Sequence, residues 1–219
     1  MSQPTVSPQQ TAPSFGDVTL EHYLSELAAK VPAPGGGAVA ALHVAQAAAL
    51  VAMVARYTTR AKDAENRPVI DRIIEAADAA RARSLALADA DAAAFTAVGA
   101  AYKLPKDTDD QVAERTAAIN AALVEAARVP AAVVDEADEI LSLAGELLPI
   151  GNPNVVTDIG AAADAARAAA QSSQLNIEIN VASLPAALGD DFAAALVRVE
   201  TIAARADALH AQVLHVVRG

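Results

Sequence analysis

Asp91 is the residue whose surroundings most invite chemistry. On a helix it shares a face with Leu87, Phe95 and Val98, at spacings of four, four and seven. A carboxylate on an apolar face is costly unless it is paired or used. Burial would raise its pKa, as a general acid/base working at neutral pH requires. Two readings stay open: a proton-transfer group, or a carboxylate paired with Lys103 or an arginine to fix helix register. Asp89 sits about 200° away around the same helix and reads as a solvated neighbour.

A second group of candidates surrounds the loops. Gly35-Gly36-Gly37 has neither a following Gly-Lys-Ser/Thr nor a preceding strand, so a phosphate loop is excluded. One glycine would make a turn; three leave a main chain that a ligand can approach, with free N–H groups at the start of a helix. Asn176 and Asn180 stand at i and i+4 among Leu175, Ile177 and Ile179. Two stacked amides offer the donor and acceptor edge that a heterocycle needs, or they form a surface stripe with Ser172 and Ser173. Asn152 and Asn154 suit a turn, and Asp158 suits a helix cap. The histidines 22, 43, 210 and 215 have no metal-ligand spacing, so no metal is expected, and His43 reads as a hydrogen-bonded core residue. No nucleophile–base motif such as GxSxG occurs.

The elements that must position these groups read as helices throughout. Hydrophobic residues make up 54% of the 219, much of it alanine, the best helix former, while aromatic residues are 3%. The expected fold is all-α: a bundle of long antiparallel helices in a single domain over 17–219, after a disordered tail at 1–16. Helices are expected over Val18–Lys30 (Leu20, Leu24 and Leu27 inward, Asp17 capping), Ala38–Thr58 and Asn66–Tyr102. Further helices follow from Thr108, with a capping box, to Pro130 and from Pro130 to Leu148. The last two cover Thr157–Val181 and Asp190–Val217. In the third, Arg81 and Ser84 interrupt the apolar stripe. Ala38–Ala55 is the one stretch apolar enough to suggest a membrane span, and a buried central helix is the preferred reading. The formal net charge of −11 excludes nucleic acid and anionic membrane surfaces as partners. The absence of cysteine excludes disulfides and thiolate metal sites. A cytoplasmic location fits.

Five segments, in order, resemble the cyclodeaminase/methenyltetrahydrofolate cyclohydrolase family. They are Pro32-Ala-Pro-Gly-Gly-Gly-Ala-Val-Ala-Ala-Leu42, Asp89-Ala-Asp-Ala-Ala-Ala-Phe95, Lys103-Leu-Pro-Lys106, Gly151-Asn-Pro-Asn-Val-Val-Thr-Asp158 and Leu175-Asn-Ile-Glu-Ile-Asn180. The resemblance covers about 17–217. It implies the fold of the formiminotransferase-cyclodeaminase C-terminal domain, a homodimer, and a folate site near the dimer interface. The family's catalytic aspartate falls on Asp91. The resemblance further implies Lys103 as a second catalytic group, which would tune Asp91 or hold a substrate oxygen. It implies Gly35, Gly36, Gly37, Lys62, Asn152, Asn154, Asp158, Asn176 and Asn180 as residues orienting the substrate. Where the family commonly has Asn-Leu-Thr-x-Gly and then lysines, this chain has Arg56-Tyr-Thr-Thr-Arg-Ala-Lys62. Any local attraction for an anionic folate is then expected from Arg56, Arg60, Lys62 and Lys103.

The implied reaction is hydrolysis of 5,10-methenyltetrahydrofolate to 10-formyltetrahydrofolate by one carboxylate acting as base and then acid. No permanently bound cofactor is implied; a tetrahydrofolate derivative is the substrate. The alternatives are cyclodeamination of 5-formiminotetrahydrofolate with release of ammonia, and a non-catalytic folate-binding helical dimer.

Overall fold

The computed structural model describes residues 14–219, and every regular element in that range is helical, with no strand among the described residues. Its helices are α1 (Leu20–Ala28), α2 (Gly36–Arg56), α3 (Arg67–Tyr102), α4 (Asp109–Leu147), α5 (Val156–Val181), the single turn α6 (Ala186–Gly189) and α7 (Ala193–Arg218). Short 3₁₀ turns precede α3, α5 and α7.

α2 is the axis of the bundle because its alanines let neighbours approach from several sides. Ala38, Ala40, Ala41, Val44, Ala47, Ala48, Val51, Ala52, Val54 and Ala55 are fully buried, and α3, α4 and α5 pack on it. Cross-helix pairs fix the directions. Ala38 meets Asp91 and Arg56 meets Asp78, so α2 and α3 are antiparallel. Arg83 bridges Glu136 and Glu139, each at 2.6 Å, and Arg72 pairs with Glu146, so α3 and α4 are antiparallel too. α7 lies against α5 and α4 and is tied to α4 by Arg198–Asp135 and Arg205–Asp138.

Three helices (Gly36–Arg56, Asp63–Tyr102 and Asp109–Leu147) are long and apolar enough to cross a membrane by length and composition alone, rather than the one stretch expected. Yet α2 is enclosed by other helices, and the pairs Arg83–Glu136, Arg83–Glu139 and Arg205–Asp138 lie well inside α3, α4 and α7. Charged groups placed there suit water and not hydrocarbon.

Several boundaries differ from the sequence reading. The N-terminal tail was expected to run to Gly16. Residues 1–13 lie outside the description, but Ser14 and Phe15 are held by Asp89, through a 2.5 Å hydroxyl–carboxylate bond and a 2.8 Å main-chain bond. Thr19, not Asp17, caps α1 by accepting from the His22 N–H. α1 turns Tyr23 inward and leaves Leu20 71% and Leu24 51% exposed. Ser84 does not interrupt the α3 stripe, since it is buried with its hydroxyl donating to the Ala80 carbonyl at 2.8 Å.

The largest difference is Pro130, expected to divide two helices but standing inside the continuous α4. A proline here removes one N–H and frees the carbonyl four residues back, which is that of Ala126. Asn180 of α5 donates its side-chain amide to that carbonyl at 3.1 Å. The helix survives because a neighbouring helix supplies the missing donor.

The C-terminal part of α3 and the first turns of α4 form a projecting hairpin. Phe95, Tyr102, Leu104 and Val112 are exposed on it. Arg115 ties its two limbs together by donating to the Tyr102 carbonyl and lying 5.7 Å over the Tyr102 ring.

Candidate active site

Three helices bring their polar groups together at the N-terminal end of α2. Gly37 is buried against α3 so tightly that a Cβ there would lie 1.9 Å from Asp91 Oδ1. The neighbouring Ala38 N–H donates to Asp91 Oδ2 at 3.1 Å. On the other flank, a Cβ on Gly36 would stand 3.7 Å from Asn176 Nδ2 of α5. The glycines therefore serve close approach: Gly37 makes room for the carboxylate and Gly36 for the amide. Gly35 caps the helix with its carbonyl, which accepts from the Val39 N–H at 3.1 Å.

Asp91 is half-buried, and burial raises its pKa, opposed by the Ala38 N–H. No ion pair involves it among the described residues. The reading of Asp91 as a register-fixing ion pair thus lacks its cation. Lys103 stands twelve residues further along α3, which is about 18 Å of helix, and it is exposed at the hairpin tip. Within one chain Lys103 does not meet Asp91.

Asn176 and Asn180 share the expected face of α5, but their amide nitrogens are already engaged. Asn176 donates to the Ser172 carbonyl at 2.8 Å, and Asn180 to those of Asn176 at 2.8 Å and Ala126. Their side-chain oxygens remain as acceptors. Asn176 faces the glycine turn, while Asn180 braces α4 at Pro130.

The remaining candidates lie at the opposite end of α2, about 30 Å away along a 21-residue helix. Asn152 donates its side-chain amide to the Tyr57 carbonyl at 2.9 Å and accepts from the Asn154 N–H at 3.0 Å. Its main-chain N–H donates to the Thr58 hydroxyl at 3.0 Å. Asp158 lies in the first turn of α5, where a negative charge suits the helix dipole, but it is not the cap; Val155 holds that position. Arg60 binds Asp63 and also the Gly151 carbonyl at 3.0 Å, and Arg56 is taken by Asp78. Neither arginine is near Asp91, so their expected local pull on a substrate at that site is not realised in one chain. The Lys62 side chain lies outside the description.

Two cavities match these two ends. One of about 740 Å³ opens between α1 and α3, with Tyr23, Pro34, Asp89, Ala92 and Thr96 in its wall. It adjoins the turn that carries Asp91. The other, about 870 Å³, is lined by Arg60, Gly151, Asn152 and His215. The larger is distant from the isolated carboxylate. The smaller is the candidate site, since a carboxylate disfavoured by burial and without an ion-pair partner among the described residues lies beside it. Among the described residues, no three His, Asp or Glu side chains converge as a metal site would.

Two residues escaped the sequence reading. Asp89 is not a solvated neighbour; it clamps Ser14 and Phe15 over the smaller cavity. Tyr23 is buried in that cavity's wall with no hydrogen-bond partner for its hydroxyl. A tyrosine flanked by leucines carries no local signal of this in the sequence. His43 likewise differs from expectation: it is half-buried, its Nδ1 has no partner, and burial lowers its pKa.

Comparison with known proteins identifies the family. The chain is 36% identical over 207 residues to a methenyltetrahydrofolate cyclohydrolase of Methylorubrum extorquens, covering 93% of this chain and 97% of that protein. It is 34% identical over 179 residues to the rat formimidoyltransferase-cyclodeaminase, covering 81% of this chain and 32% of the rat protein. The crystal structure of a formiminotetrahydrofolate cyclodeaminase from Thermotoga maritima superposes with a TM-score of 0.78 at 29% identity, covering 93% of this chain and 98% of that one. The family model described as formiminotransferase-cyclodeaminase matches residues 19–215. Fold and relatives together show that this chain belongs to the formiminotransferase-cyclodeaminase family, a family of folate one-carbon enzymes.

Proposed function

We propose that this chain hydrolyses 5,10-methenyltetrahydrofolate to 10-formyltetrahydrofolate, with Asp91 as the proton-transfer group. The observation that carries this reading is the half-buried carboxylate, held by one main-chain N–H and matched to no cation among the described residues. The methenyl bridge is an amidinium cation, and Asp91⁻ is the complementary charge. Asp91 takes a proton from water as the oxygen attacks the bridge carbon. The C–N5 bond then breaks, N5 takes a proton from Asp91, and the new hydroxyl becomes the formyl carbonyl on N10 as its proton leaves to solvent. One water is consumed and one proton is released. Gly36, Gly37 and Asn176 would orient the ring system. The protein would need no resident cofactor, since the substrate carries the carbon unit. A cytoplasmic location suits that chemistry.

The assay is the loss of methenyltetrahydrofolate absorbance, run with wild type and Asp91→Asn in parallel. Wild type should be rapid and the variant about 10²–10⁴-fold slower, the range of general acid–base contributions. Near-normal turnover by Asp91→Asn removes Asp91 from the role. The relatives from rat and Thermotoga maritima favour one second reading at the same site: ring closure of 5-formiminotetrahydrofolate, with Asp91 protonating the departing ammonia. Ammonia release from that substrate, without hydrolysis of the methenyl compound, selects it.

We also propose that the working form is a homodimer whose sites draw on both chains. Lys103 sits at the tip of a projecting hairpin whose apolar residues are uncovered, and the Asn152–Asp158 loop is about a helix length from Asp91. A second copy would cover the hairpin and bring such distant groups to one substrate. Mixing Asp91→Asn with Lys103→Ala tests this. Recovery of part of the activity supports shared sites; two inactive parents whose mixture stays inactive, although mixed dimers form, refutes them.

A further inference from the structure

Tyr23 takes no part in the chemistry above, yet it is oddly placed for a core residue. It is 6% exposed, while Leu20 and Leu24 on the same helix face solvent. Its ring meets Phe15 edge-on with centroids 5.5 Å apart. Together with Pro34, Asp89 and Ala92 it walls the smaller cavity, so it lies over the turn of α3 that bears Asp91. Its hydroxyl is buried without a hydrogen-bond partner among the described residues. An unpaired buried hydroxyl is destabilising, and a phenylalanine would fill the space without that cost. Burial and the nearby charge of Asp91 both raise the Tyr23 pKa, which keeps the phenol a donor at neutral pH.

We propose that Tyr23 is the positioning residue for Asp91: its hydroxyl donates to the ionised carboxylate and fixes the side from which Asp91 exchanges a proton. The idea rests on Asp91 being the proton-transfer group. The groups facing this region are His22, Tyr23 and Glu26 of α1, Asp89 and Asp91 of α3, and Ser14, which is bound to Asp89. α2 contributes the Ala38 N–H, and α5 brings the Asn176 amide to the adjoining Gly36. Within this set the Ala38 N–H is bonded to Asp91, and the Tyr23 hydroxyl is a buried donor without a partner among the described residues.

Tyr23→Phe keeps the ring and its packing on Phe15, so it should still fold. A lost donor raises the pKa of the carboxylate it served. The acid limb of kcat/KM should therefore move to higher pH by about one unit in the variant. The plateau kcat should fall by about tenfold with KM little changed. The Asp91 carboxyl titration, followed by carbon NMR without substrate, should move in the same direction. An unmoved Asp91 titration in Tyr23→Phe overturns the proposal. The NMR titration needs no turnover, so a wild type inactive on the methenyl compound would sink the reaction assignment and still leave the Tyr23–Asp91 coupling decided.

Discussion

The two ends of α2 carry equally conspicuous loops and use them in opposite ways. At the C-terminal end the polar groups are matched. Arg60 satisfies Asp63 and the Gly151 carbonyl, and Asn152 ties the Tyr57 carbonyl and the Thr58 hydroxyl to the start of α5. At the N-terminal end the groups are short of partners. Among the described residues, Asp91 has a single N–H and no cation, the Tyr23 hydroxyl has no partner, and the amide oxygen of Asn176 is uncommitted. Fully matched polar groups make a staple, whereas unmatched ones store the interactions that a ligand completes. The difference lies in what each loop leaves unsatisfied rather than in how many polar residues it contains.

The sharpest way to break this contrast is Gly37→Ala. The added methyl would occupy the space of Asp91 Oδ1. Asp91 is the mobile end of a side chain at a cavity edge, so it can swing away. Stability should change little while kcat/KM falls by about 10²-fold or more, the cost of a reacting group displaced by roughly 1 Å. Purified variant, thermal melt and absorbance assay together check it. If Gly37→Ala melts far lower with its specific activity intact, Gly37 is a packing residue and the N-terminal end is another staple.

Much of the fold was legible because alanine-rich helices with glycine and proline breaks leave few alternatives. The start of α2 and the ends of α3 and α5 fell within two residues of expectation. Pro130 misled because its penalty is local, while its remedy, Asn180, is fifty residues away and visible only after packing. Asp91 was legible because a carboxylate on an apolar face is a local contradiction. Tyr23 was not, since a tyrosine between leucines looks at home; only the absence of a partner marks it. The grouping of the candidates failed for a related reason. A sequence ranks residues by type, and type does not record that Asn152 and Asp91 stand at opposite ends of a 21-residue helix.

A smaller effect is expected from Asn152→Ala. It removes the 2.9 Å bond to the Tyr57 carbonyl and the 3.0 Å bond from the Asn154 N–H. A loss of about 1–2 kcal/mol in denaturant unfolding should follow, with kcat/KM nearly unchanged. The inverse result, normal stability with a large loss in kcat/KM, would mean that this loop reaches a substrate across a dimer and would turn the staple into part of a site.

The subtlest test uses Asp91→Asn for stability instead of rate. Burial raises the Asp91 pKa in the folded chain. The fold therefore prefers the protonated carboxyl. That preference stabilises the protein fully below the unfolded pKa and is lost as pH rises through the folded pKa. At neutral pH wild type holds an ionised carboxylate that the fold disfavours, whereas asparagine is neutral and can still accept from the Ala38 N–H. Asp91→Asn should melt slightly higher than wild type at neutral pH. The gap should close on acidification, as the wild-type carboxyl takes up its proton. If the variant melts lower at neutral pH, the charge is stabilising after all. Asp91 would then belong with the ion-paired residues at the other end of α2, and the contrast between the two ends would be gone.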